Sequence, residues 1–253
     1  MIFDTHTHIY LEEFDTDRAA VVDRAVKSGV GKMMLPNVDT ETVTALKKTL
    51  SDYPSYCIAA MGLHPTSVTD GYREALDVIR RELDSGIYHA VGEVGIDLYW
   101  DTTYRNQQVA AFEEQLAWAK EKSLPVIIHN RDAFRDTMSS LERVGWGEIV
   151  LHSFGGSPDE VKEARRVCDP YFGINGVVTF KNSALTDTVK EIGLSRLLAE
   201  TDAPYLTPVP YRGKRNEPSY ITNTVNKIAE ILGISSEQAA DAMYKNACAV
   251  FGG

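Results

Sequence analysis

A chain of 253 residues with 43% hydrophobic and 25% charged residues is the size at which one α/β barrel usually falls. It buries roughly three quarters of its unfolded surface, so neither disulfides nor a structural metal are needed to complete a core. No apolar run approaches the ~20 residues of a membrane span. A net charge of −10 argues against a broad basic surface for long nucleic acid, though not against a strand held locally.

The start, MIFDTHTHIY, has no charged segment followed by an apolar stretch and a cleavage site, so the expected location is the cytoplasm. Cys57, Cys168 and Cys248 lie far apart without a CxxC pair, which reads as small apolar packing rather than disulfides or a zinc ribbon. The first β-rich run, 1–9, closes with His6 and His8. Helical spacing follows from Asp17 to Ser28, with Gly29 at its end. Run 31–38 and a helix from Thr40 to Asp52 come next, then run 56–65 with His64 near its end and a helix from Arg73 to Ser85, followed by Gly86.

Run 88–97 begins with His89 and carries Glu93 in AVGEVGID. A carboxylate in so apolar and glycine-rich a setting is costly unless paired. A helix from Tyr104 to Lys122 leads to run 125–131, PVIIHNR, with His129 and Arg131. Run 148–154, EIVLHSF, contributes His152. Ser157, Pro158, Asp159 and Glu160 form an N-cap, first-turn proline and capping box for a helix reaching Cys168. After run 171–178, run 197–206 carries Glu200 and Asp202 in LLAETDAPYL. The irregular stretch TPVPYRGKRNE, 207–217, holds Arg212, Lys214 and Arg215, and a second capping box, Ser235 to Gln238, opens the last helix.

Strands alternating with helices imply a parallel sheet, and eight such units predict a single-domain (β/α)8 (TIM) barrel over 1–253. No GxGxxG or Walker A pattern favours an open nucleotide-binding sheet. The carboxyl ends of barrel strands converge on one face, where such enzymes place their active sites. His6 and His8, two apart on a strand, point the same way and can chelate one ion. Four imidazoles and two carboxylates exceed what one tetrahedral zinc takes. Two divalent ions are the economical reading, with Glu93 as the anionic bridge between them. His89, at the start of its run, belongs to the opposite, structural face.

Two such ions lower the pKa of a shared water towards neutrality, and Asp202 is placed to take the proton as that hydroxide attacks. Two cations (+4), Glu93 and Asp202 (−2) and hydroxide (−1) leave +1, which attracts an anionic substrate. Arg212, Lys214, Arg215 and Arg131 are candidates to position its phosphates. His64 and Glu200 are candidates for substrate contact, for a further weakly held metal, or for hydrogen bonding behind the ligands. Tyr99, Trp100 and Tyr205 near strand ends could stack bases, or simply pack. Imidazole and carboxylate donors suit zinc, manganese, iron, cobalt or nickel, and magnesium less well.

HTH at 6–8, GEVGID at 92–97, IIHNR at 127–131, LHSFGG at 151–156 and ETDAPYL at 200–206 resemble the TatD-type deoxyribonucleases of the amidohydrolase superfamily. The resemblance runs from residue 1 to the last helix. It implies one ion held by His6, His8 and Asp202, a second by His129 and His152, and Glu93 between them. Many relatives bridge with a carboxylated lysine instead, so bicarbonate is not expected to be required here. The implied activity is metal-dependent hydrolysis of DNA phosphodiester bonds, acting from a 3′ end; no obligate protein partner is evident from the sequence. The competing reading is an amidohydrolase or deacylase on a small-molecule or aminoacyl ester or amide, since the same ligands serve either. A non-catalytic binding module is a third, disfavoured by the full ligand set.

Overall fold

The computed structural model describes residues 1–252. Eight parallel strands follow one another in chain order: β1 (Ile2–Asp4), β2 (Val30–Pro36), β3 (Cys57–Met61), β4 (Ala90–Asp97), β5 (Val126–Arg131), β6 (Ile149–Leu151), β7 (Tyr171–Ile174) and β8 (Leu197–Ala199). Seven outer helices separate them: α1 (Arg18–Lys27), α2 (Val43–Asp52), α3 (Tyr72–Leu83), α4 (Arg105–Lys122), α5 (Phe134–Val144), α6 (Pro158–Val167) and α7 (Leu185–Ile192). After β8 come α8 (Ile221–Leu232) and α9 (Ser236–Phe251). This is the expected barrel of eight parallel strands with helices outside. Among the described residues, no helix is long and apolar enough to cross a membrane.

The sheet closes just beyond the ends of β1 and β8. Thr5 N–H donates to the Ala199 carbonyl (3.1 Å), Asp202 N–H to the His6 carbonyl (2.9 Å), and His8 N–H to the Ala203 carbonyl (2.8 Å). Both strands are therefore shorter than the expected runs 1–9 and 197–206. Asp202 has φ +57 and Leu206 φ +53, left-handed conformations that end extended backbone. The same shortening puts His152 one residue past β6 and His64 three past β3. Glu93 and His129 lie within β4 and β5, whereas His6, His8, His64, His152 and Asp202 sit just beyond the strand ends.

The barrel floor is apolar. Phe3, Met34, Ile58, Ala60, Ala90, Ile127, Val150 and Leu198 project inward and meet Ala247, Val250 and Phe251 of α9, which closes the bottom. Most come from β-branched or long aliphatic runs, as strands buried on both faces require. His89 lies at this end, its Nδ1 3.2 Å from the Phe251 carbonyl, consistent with a structural place. Cys57 is buried, whereas Cys168 and Cys248 are only partly so; burial pushes the Cys57 and Cys168 thiols up to about 12.

Helix punctuation follows the sequence signals. Ser157 accepts from Glu160 N–H (3.3 Å) while Glu160 Oε2 accepts from Ser157 N–H (2.7 Å), and Ser235 and Gln238 repeat the box on α9. Gly29 (φ +91) and Gly86 (φ +78) take the left-handed conformation beyond helix ends that other residues adopt at a cost.

Candidate metal centre

Glu93 stands at the centre of the rim. Its Oε2 lies 3.1 Å from His6 Nε2 and 3.7 Å from His8 Nε2. Its other oxygen, Oε1, lies 2.9 Å from His129 Nδ1, 3.4 Å from His64 Nε2 and 3.7 Å from His152 Nε2. Asp202 Oδ1 closes the ring, 3.5 Å from His8 Nε2, 3.8 Å from His6 Nε2 and 3.9 Å from His152 Nε2. All six residues read from the sequence as ligands converge, although they come from five separate stretches of chain. Three overlapping groups could each hold a cation: His6, His8 and Glu93; His6, His152 and Asp202; and His64, Glu93 and His129.

The donor set fits a metal on its own geometry. His6 Nε2 and His8 Nε2 approach to 3.1 Å, about the spacing of two imidazoles that share an ion at ~2.0–2.1 Å. His8 Nδ1 is 2.9 Å from the Tyr10 hydroxyl, which donates its own hydrogen to the Pro36 carbonyl. Nδ1–H must then be the donor to Tyr10, leaving the Nε2 lone pair aimed into the cluster. His129 points Nδ1 at Glu93 while Nε2 lies 2.8 Å from Asp97 Oδ2. His152 points Nε2 inward with Nδ1 3.0 Å from Glu200 Oε1. An outer carboxylate or hydroxyl on the far nitrogen is the usual way a ligating histidine is oriented.

Electrostatics agree. Burial, then His152 stacked at 3.4 Å between ring centroids, hold His6 down at about 4, so it is a neutral donor at pH 7. Burial opposes a charge on His129, yet Asp97 and Glu93 outweigh it and raise this imidazole to about 9. His152 is raised likewise to about 10, Glu200 and Glu93 overcoming burial. Against its own burial, the surrounding imidazoles hold Glu93 well below the usual carboxylate range. At neutral pH His129 and His152 carry protons held by the surrounding carboxylates, and a cation binding there would take the place of those protons.

A cavity of about 1460 Å³ opens over the cluster, and His8, His64, His129, His152, Glu93 and Asp202 reach its wall. Among the substrate candidates, Arg131 lines it and His64 borders it. Thr66 N–H donates to His64 Nδ1 (3.2 Å), so neutral His64 carries its proton on Nε2, facing Glu93. Glu200 is fully buried behind His152 rather than facing substrate. Gly173 makes room for it, since a Cβ there would come within 2.1 Å of Glu200 Oε2.

Arg212, Lys214 and Arg215 are not brought to the cavity wall. Arg215 pairs with Asp17 (2.8 Å) over the Phe14 ring, Arg212 donates to the Thr207 carbonyl (3.1 Å) over Phe180, and Lys214 lies over Tyr211. Their loop instead supports Asp202: buried Asn216 donates to the carbonyls of Thr201 (2.9 Å) and Tyr205 (2.6 Å), on either side of it. The cations lining the cavity are Arg105, Arg131 and Arg135.

Asp4, Tyr10 and Asp97 were not singled out from the sequence, although the signal was available. Positions 4, 6, 8 and 10, and 93, 95 and 97, alternate onto the same sides as the ligands. Asp4 binds Thr201 through its N–H (2.9 Å) and hydroxyl (2.6 Å), joining both sides of the barrel seam. Burial pushes the Asp4 carboxyl up to about 8, against the pull of those bonds. Gly95, between Glu93 and Asp97, lets β4 approach β5, for a Cβ there would fall 1.9 Å from the His129 carbonyl.

Known proteins share this whole architecture. The family model described as TatD related DNase matches residues 3–252. The metal-dependent hydrolase YabD of Bacillus subtilis is 38% identical over 254 residues, covering 99% of each chain. A protein of Pantoea vagans named as the 3′-5′ ssDNA/RNA exonuclease TatD is 32% identical over 260 residues, again covering 99% of each. The crystal structure of the TatD homologue YJJV from Escherichia coli superposes with a TM-score of 0.92 at 28% identity, covering 99% of this chain and 97% of that one. With a family match over almost every residue and a rim of converging imidazoles and carboxylates, the chain belongs to the TatD-related DNase family of metal-dependent hydrolases.

Proposed function

We propose that the chain is a 3′–5′ exonuclease that hydrolyses phosphodiester bonds of single-stranded DNA with two divalent ions. The observation that carries this reading is the division of Glu93, one oxygen toward His6 and His8 and the other toward His129 and His152. Such a carboxylate can lie between two cations. His6, His8 and Asp202 would hold one ion, and His129 and His152 the other. Bound there, the ions supply Lewis acidity toward a phosphoryl oxygen and acidify a water.

This chain's residues do the rest. Glu93 holds the two ligand groups together, Tyr10 and Asp97 hydrogen-bond the far nitrogens of His8 and His129 and orient their rings, and the Glu200 carboxylate lies against His152 Nδ1. Burial opposes ionisation of Asp202, but His8 and His152 keep its carboxyl below the usual range. It is therefore a carboxylate at neutral pH, facing the cavity and ready to take a proton from the attacking water. Arg131 and Arg135 line the cavity without a carboxylate partner among the described residues, which leaves them free for phosphates of the strand. The name borne by the Pantoea vagans relative supports the polarity and the strand type.

The test is cleavage of an end-labelled single-stranded DNA, beside a p-nitrophenyl ester, by wild type and Asp202→Asn. Each is assayed after chelation and again after adding manganese or zinc. The expected result is a metal-dependent ladder shortening from the 3′ end and a loss of about 10²–10⁴-fold in Asp202→Asn. Ester turnover with intact DNA would overturn the nuclease reading in favour of a deacylase on the same centre.

A further inference from the structure

We propose that Tyr99 and Trp100, with Arg131, form a stacking subsite for a nucleobase of the single strand whose phosphodiester lies at the metal centre. Both rings sit in the connection from β4 to α4 and are unusually open, Trp100 76% and Tyr99 52% exposed. They meet edge to face, 4.7 Å apart at 89°. The Arg131 guanidinium lies 3.7 Å from the Tyr99 centroid and 5.4 Å from that of Trp100. Trp100 and Arg131 line the same cavity as the ligands.

The platform is fastened to the centre through Asp97. One carboxylate oxygen lies 2.8 Å from His129 Nε2 and the other accepts the Tyr99 N–H at 3.0 Å. Stacking geometry is thereby tied to the position of a ligand. The chemistry fits a base better than other occupants. An acyl chain is held by enclosing apolar walls, whereas Trp100 is open to solvent and the Arg131 guanidinium covers a face of Tyr99 beside it. Two rings fall short of the several hundred Å² of apolar surface that mark a protein-docking patch. A π-face beside a guanidinium is the arrangement that binds single-stranded nucleic acid without reading its sequence, the ring taking the base and the cation the backbone. Arg135, on the first turn of α5 and also on the cavity wall, extends the cationic side of this track.

The subsite rests on the nuclease reading, and the experiment separates the two. A short single strand and a strand of equal length with abasic residues next to the scissile bond are offered to wild type, Trp100→Ala and Trp100→Phe with manganese present. In wild type, KM is lower for the base-bearing strand. Trp100→Ala raises that KM by about 5- to 150-fold, leaves kcat and the KM for the abasic strand in place, and Trp100→Phe restores most of the loss. Equal KM values for the two strands in wild type and in Trp100→Ala overturn the subsite. If wild type cuts neither strand, the nuclease reading fails by itself. Fluorescence anisotropy of the labelled strands then decides the subsite: a preference for the base-bearing strand that Trp100→Ala abolishes upholds it, and indifference overturns it.

Discussion

The two ends of the barrel are built from the same eight strands and have opposite chemistry. At the floor, Phe3, Met34, Ile127, Val150 and Leu198 close against Val250 and Phe251 of α9 with no ionisable side chain among them. At the rim, five imidazoles and four carboxylates crowd together, several of them fully buried. Burial contributes stability at the floor, roughly 1.5–3 kcal/mol for each large apolar side chain. Burial at the rim costs free energy unless the charges are paired or take up cations. Stability and reactivity are thus separated along one axis, which allows each to be altered with little effect on the other.

The largest effect should come from the floor. Phe251→Ala should cost about 3–5 kcal/mol in denaturant unfolding while kcat/KM per folded molecule stays at the wild-type value. A fall in that value would show that floor and rim are coupled. At the rim the order reverses. Asp97→Asn leaves the core intact but removes the charge that orients His129, so metal affinity measured by chelator competition should drop about 10- to 100-fold with little change in stability. Unchanged affinity would remove Asp97 from the support of the centre.

Between these extremes lies the latch that holds the loop after β8. Glu217 accepts from Arg24 of α1, at 2.9 and 2.7 Å. Burial opposes ionisation of Glu217, and Arg24 outweighs it, so the carboxyl stays below its ordinary 4.5. A depressed folded-state value contributes stability that is complete above about 4.5 and is lost as pH falls through the lower, folded-state value. Glu217→Gln should therefore cost about 1–2 kcal/mol at pH 7, less than a buried pair because Arg24 is half exposed. The gap to wild type should close on acidification below 4.5; a gap that persists would mean the pair is not its source. The smallest effect is expected from Lys214→Ala, less than twofold in kcat/KM, since Lys214 lies against Tyr211 outside the cavity wall. A loss of tenfold or more would return the 212–215 cluster to substrate binding.

Lys214 and its neighbours also mark a limit of reading local sequence. Three basic residues in a proline-rich loop look alike whether they face a phosphate or fold back on their own loop. Only Phe14, Asp17 and Phe180, distant in sequence, decide that Arg215 and Arg212 turn away. The same holds in reverse for Arg105 and Arg135. Each reads as an ordinary helical cation, and the packing of α4 and α5 around the barrel places both on the cavity wall.

What the sequence determined by itself was the barrel and the six residues that converge, His6, His8, Glu93, His129, His152 and Asp202. Hydrophobic runs, capping boxes and glycines are local signals, and a barrel's strand tips meet on one face whatever the details of packing. What only the tertiary structure decided was the arrangement behind and around them. His129 on Asp97, His8 on Tyr10, Glu200 in the space left by Gly173, and Asn216 straddling Asp202 are contacts between distant segments, set by side-chain distances of a few ångströms. Periodicity says which way a residue faces; whom it meets there depends on the register and closure of the whole sheet.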